Sequence, residues 1–197
     1  MKKKFGMMAL AMILTAGMLA GCGSEQTAES SDGQDTVTGA IIVSAAASLT
    51  DVLNELAQTF QEEYPGTEVS FTFGGSGALQ TQIEEGAPAD LFFSAAESNM
   101  DALEEQGLID AATRKDVLQN EIVLIAPQGE TAVTSFETIL DSEPQIALGE
   151  AESVPAGKYA QEIFTNLGIW DEVKSHAVFA SNVREVLAWI EAGEADC

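Results

Sequence analysis

The sequence predicts an α/β fold in two lobes, each a mostly parallel sheet flanked by helices, and three observations carry that expectation. From residue 40 onward, short β-type runs alternate strictly with segments of helical period, the pattern of parallel strands covered on both faces by helices. The turn residues Pro127-Gln128-Gly129-Glu130 interrupt the chain behind its most continuous apolar run, which marks a hand-over between lobes. At 197 residues and 46% hydrophobic composition, the chain can bury a core, and behind a leader it has room for two small lobes.

Taken in order, the elements begin with a strand at Ile41–Val43 and a helix carrying Leu49, Val52, Leu53, Leu56 and Phe60. Val69, Phe71 and Phe73 alternate with Glu68, Ser70 and Thr72 as a half-buried strand does. A helical Leu79/Ile83 pair, the strand Leu91–Phe93 and a helix around Met100 and Leu103 follow. The apolar run Ile122–Ala126 reads as a further strand, and Ile146–Leu148 as the next. A helix with Tyr159, Ala160, Ile163, Phe164 and Leu167, the strand Ala177–Phe179 and a helix with Val183, Val186, Leu187 and Ile190 complete the series. The expected division is residues 40–120 for the first lobe and 121–197 for the second, with no internal repeat.

Ahead of these elements, Lys2, Lys3 and Lys4 precede the apolar stretch Met7–Leu19, and Leu19-Ala20-Gly21-Cys22 follows. The tetrapeptide resembles a lipoprotein-processing signal, so residues 1–21 read as a signal peptide and Cys22 as a lipid attachment site. Acyl chains there, at about 0.8 kcal/mol per buried CH₂, tether the protein outside the cytoplasmic membrane. Residues 22–39 carry almost no large apolar side chain and read as a flexible linker. With Cys22 acylated, Cys197 is the one thiol left and no disulfide is expected.

The formal net charge is −24, and beyond the leader only 5 Lys and Arg face 32 Asp and Glu. Nucleic acid and anionic membrane surfaces are thereby disfavoured as partners. The acidic pairs Glu62-Glu63, Glu84-Glu85 and Glu104-Glu105 read as solvated helix faces. P-loop, HExxH and EF-hand motifs and cysteine/histidine clusters are missing from the sequence, so neither a cofactor nor a cation site is expected.

Four places share one design, a turn ending a strand followed at once by the first turn of a helix, where backbone N–H groups lack intrahelical partners. In Ala45–Asp51, Ser48 stands where an N-cap belongs and Asp51 completes a capping box. In Gly74-Gly75-Ser76-Gly77, glycines around a serine let the backbone approach another group closely. In Ser153–Tyr159, Pro155 suits an early helical position and leaves the Ala156 N–H as a donor. In Ser181-Asn182-Val183, Ser181 or Asn182 caps a helix whose first turn holds the Val183 N–H. Arg184, the cation beside the fourth place, is expected to point to solvent. Donors and positive dipole ends of this kind suit an anion. A fully ionised oxyanion, which only accepts hydrogen bonds, needs no carboxylate in its site.

At this point Ala45–Thr50, Gly86–Phe92 and Val154–Ala160 resemble the molybdate-binding proteins of ABC importers, over about residues 41–197. The resemblance implies a type II periplasmic-binding-protein fold that closes on molybdate or tungstate between its lobes and presents it to a membrane permease. It implies that Ser48 and Ser76 hold the oxyanion by hydroxyl and backbone, and Ala156 and Val183 by backbone N–H. The family continues past the position of Cys197 with a strand bearing a ligand-binding tyrosine and a return to the first lobe, so a C-terminally truncated chain is expected. Tyr64 and Tyr159 do not fall at that position.

Three other readings compete. A serine hydrolase would use Ser76 and His176, but Gly74-Gly75-Ser76-Gly77-Ala78 lacks the last glycine of G-x-S-x-G, and His176 reads as a strand-end or surface residue; no enzyme is expected. A receptor for sulfate or phosphate would use the same loops. A structural lipoprotein, adhesin or spacer, would bind no small ligand.

Overall fold

The computed structural model describes residues 37–129 and 132–197; the expected signal peptide, Cys22 and nearly all of the linker lie outside the described residues. The first lobe opens with β1 (Thr38–Ala46), a 3-10 turn (Ala47–Leu49), α1 (Thr50–Glu63), β2 (Gly66–Gly74), α2 (Ser76–Glu84), β3 (Leu91–Phe93) and α3 (Glu97–Glu105). The second contains β4 (Ile146–Gly149), α4 (Pro155–Asn166), α5 (Trp170–Ser175), β5 (Ala177–Ala180) and α6 (Val183–Ala192). The two lobes cluster as one compact unit.

The first sheet has the order β2-β1-β3 and the second β4-β5, and every pairing is parallel. The central position of β1 explains its composition. Its C-terminal half, Val43 to Ala46, is buried on both faces, as strands covered by helices on both sides are. On β2 the alternation is strict, with Val69, Phe71 and Phe73 inward and Glu68, Ser70 and Thr72 exposed. Phe71 and Phe73 stack at 5.0 Å on that inward face.

The first core gathers Val43, Ala45 and Leu53 against Ile41, Leu49, Val69 and the phenylalanines. The second gathers Ile139, Ile146, Phe164 and Val173, all at 1% exposure or less, with Val133, Ala160 and Cys197. Fully burying side chains of this size contributes about 1.5–3 kcal/mol each.

Two expectations need correction. The run Ile122–Ala126 belongs to no sheet. Its Leu124 and Ile125 pack on the two hydrophobic clusters of the second lobe, so apolar contact rather than a ladder of backbone hydrogen bonds decides its course. The short α5 was not anticipated; six residues are too few for a period to declare itself. Its Val173 anchors the second core at 0% exposure.

The parallel topology decides where a site forms. All strands of a sheet run the same way, so their C-terminal ends share one edge, and each chain turns there into a helix. Five helix starts meet that description: the 3-10 turn with α1, then α2, α3, α4 and α6.

Candidate functional site

Ser76 is the most constrained polar residue of the site. It is the first residue of α2, behind the N-cap Gly75, and is fully buried. Its Oγ accepts the Ala95 N–H at 3.0 Å. A hydroxyl has one donor and two acceptor positions; the Ala95 amide occupies an acceptor position and leaves the proton to donate. The cavity that Ser76 lines measures ≈ 360 Å³ and is bounded also by Ser48, Ala156 and Val183. The structure thus brings all four sequence-predicted residues to one cavity. A second cavity, ≈ 580 Å³ along β3, touches Ser48 but none of the other three.

The glycine turn behaves as its composition implies, and the group approached is the opposite lobe. A Cβ on Gly75 would stand 2.7 Å from the Ser153 carbonyl oxygen and 2.9 Å from that of Ser181. The Gly77 N–H donates to the Ser153 oxygen at 2.9 Å. Two carbonyls of the second lobe therefore fill the space that a side chain would take.

On the second lobe, Pro155 is the first residue of α4 behind Val154. Ala156 follows in the first turn, where an N–H has no intrahelical acceptor. At α6 the cap is Asn182, whose Oδ1 accepts from Arg184 N at 3.0 Å and Glu185 N at 3.2 Å. The cap takes the second and third amides and leaves that of Val183, the first. Ser181 is not the cap; its N–H and hydroxyl donate to Glu185 Oε2 at 2.8 and 2.9 Å, so Glu185 reaches back to the residue before the cap.

Ser48 departs from the expectation. It lies inside the 3-10 turn, the N-cap of α1 is Leu49, and no side chain caps that helix. The early 3-10 turn moves the helix start past Ser48, and Thr50 secures the turn by donating from Oγ1 to the Ala47 oxygen at 2.7 Å. Ser48 is exposed at the cavity wall. Asp51, freed from any capping box, instead meets Arg184 Nη1 at 2.7 Å. Arg184 is therefore paired across the lobes rather than free in solvent. Glu104, read as a solvated face, is likewise tied to Arg114 at 2.8 Å.

Sequence reasoning missed Ala95, whose amide orients the Ser76 hydroxyl. The signal was available, because Phe93 to Glu97 repeats the strand-end-then-helix design of the other four loops. His176 sits at the C-cap of α5 and is not among the residues lining the cavity that Ser76 lines.

Known proteins resemble this chain in sequence and in fold. Residues 41–197 match the model of the family described as bacterial extracellular solute-binding protein. YvgL of Bacillus subtilis, named as an ABC transporter substrate-binding lipoprotein, is 44% identical over 185 residues, 93% of this chain and 69% of that protein. The molybdate-binding protein ModA of Haemophilus influenzae is 37% identical over 192 residues, 94% of this chain and 72% of its own length. Among solved structures, one from Clostridium difficile, named as the substrate-binding domain of a molybdenum ABC transporter, aligns with a TM-score of 0.55 at 42% identity. That alignment covers 80% of this chain and 69% of the other. With its two parallel sheets, its helix starts converging on one cavity and these relatives, the chain belongs to the family of bacterial extracellular solute-binding proteins.

Proposed function

We propose that the protein is an extracytoplasmic receptor that captures molybdate or tungstate and delivers it to the permease of an ABC importer. In this reading Ser48 and Ser76 donate from hydroxyl and backbone, and Ala156 and Val183 donate from backbone N–H. The observation that carries it is the buried Ser76, whose hydroxyl oxygen accepts from the Ala95 N–H and which lines one cavity together with Ser48, Ala156 and Val183. Such a set rewards a bare dianion, which accepts hydrogen bonds and offers none. Capture needs no chemical step and no cofactor.

The relatives named as molybdate-binding support this choice of anion, and the lipoprotein name of the Bacillus subtilis relative supports tethering through Cys22. We also retain the division at 120/121, because that stretch leads from α3 toward the second sheet without a regular strand.

Thermal unfolding with molybdate, tungstate, sulfate and phosphate tests the reading. A ligand at about 1,000 times its dissociation constant stabilises by about 4 kcal/mol. Molybdate and tungstate should act at far lower concentration than the other two; sulfate or phosphate acting alone would reassign the ligand.

A further inference from the structure

Among the described residues, polar links join the lobes at each strand end of the first sheet. At the end of β2, the Gly77 N–H donates to the Ser153 oxygen at 2.9 Å. At the end of β1, Asp51 on α1 pairs with Arg184 on α6 at 2.7 Å. At the end of β3, Lys158 Nζ on α4 reaches Ser98 Oγ on α3 at 3.3 Å. Among the described residues, Asp51–Arg184 is the one ion pair that joins the lobes; the others both belong to Arg114.

The placement of the two cations is locally unfavourable. Arg184 and Lys158 stand in the first turns of α6 and α4, where the helix dipole repels positive charge. A chain with five basic residues beyond its leader has nonetheless put two of them there. Both side chains extend to the opposite lobe, so the tertiary contact supplies the reason that local structure lacks.

We infer that Asp51 and Arg184 form a closure latch: a positioning pair, outside the ligand's own contacts, that holds the lobes together and sets how fast bound anion leaves. Asp51 lies three residues beyond Ser48 and Arg184 one beyond Val183, so the pair ties together the two segments that carry a proposed donor of each lobe. The latch rests on the proposed closure of the lobes around an anion. The partners are 45% and 82% exposed, which limits the pair to the range of surface ion pairs, about a two- to five-fold effect.

The test measures molybdate release by stopped flow for the wild type, Asp51→Asn, Arg184→Gln, the double neutral variant and the charge swap Asp51→Arg with Arg184→Asp. Each single variant should release two- to five-fold faster with association unchanged, the double should match the singles, and the swap should regain slow release. Single variants that release at the wild-type rate, or effects that add in the double, overturn the latch. A second measurement does not depend on molybdate: spin labels at exposed Glu62 and Glu172 report the lobe separation in ligand-free protein. The closed population should be larger in the wild type than in Arg184→Gln. Identical distance distributions overturn the latch, whereas a difference between them without any molybdate binding keeps the latch and rejects the choice of anion.

Discussion

The Ala95 amide and the Ser76 hydroxyl oxygen meet at 3.0 Å, and this contact fills one acceptor position of a fully buried serine. A hydroxyl has two such positions and one proton. The proton stays available to a ligand.

Replacing Ser76 with alanine should therefore act twice. The cavity loses a donor and the Ala95 N–H loses its acceptor. Hydrogen bonds to charged groups contribute about 1.5–3 kcal/mol, so molybdate affinity measured by calorimetry should fall roughly ten- to one-hundred-fold. Ligand-free stability should fall by about 1–2 kcal/mol. Unchanged affinity would remove Ser76 from the site.

Val183→Pro deletes a single proposed donor without rebuilding the helix. Val183 is the first residue of α6, the position proline tolerates best. The preceding Asn182 has φ −164° and ψ 168°, an extended conformation that a following proline accepts. Affinity should drop about ten-fold or more while the ligand-free melting temperature stays within a few degrees. A variant that binds as the wild type does would show that this amide takes no part.

Gly75→Ala should separate closure from folding. The added Cβ meets carbonyl oxygens of Ser153 and Ser181, both on the other lobe, so the clash is relieved when the lobes move apart. Overpacking of this kind costs about 1–3 kcal/mol. Affinity should fall about ten-fold or more, with less effect on denaturant unfolding of the ligand-free protein. A large loss of ligand-free stability would mean that the glycine serves the fold alone.

Cys197 gives a pH prediction. Burial, with the Asp196 charge adding to it, pushes its thiol up from 9.0 to about 11. The folded state thus holds the proton to higher pH than the unfolded state. Stability is unaffected below pH 9 and declines between about pH 9 and 11, by on the order of 1 kcal/mol per pH unit at most. Urea unfolding across that range, compared with Cys197→Ala, isolates the contribution; equal slopes in the two proteins would contradict it. The same burial should make the thiol slow toward iodoacetamide at pH 8.

Much of the fold was written in local pattern. The strict alternation on β2, the apolar periods of α1, α4 and α6, Pro155 at a helix start and Gly75 at a close approach all follow from residue type and spacing. The four loops that meet at the cavity were legible for the same reason, since a strand end, a small or capping residue and a helix start are each short-range features.

What the sequence by itself determined was the alternation of strands and helices outside Ile122–Ala126 and α5, and the positions where unpaired amides occur, because both depend on neighbours a few residues away. The tertiary structure alone decided which groups share a cavity or a pair. It left Ile122–Ala126 without a sheet partner, turned Ser48 from a cap into a wall residue, and sent Arg184 to Asp51, 133 positions distant. Hydrogen bonds and ion pairs act over a few ångströms regardless of separation along the chain, so only the packed arrangement of the lobes could assign those partners.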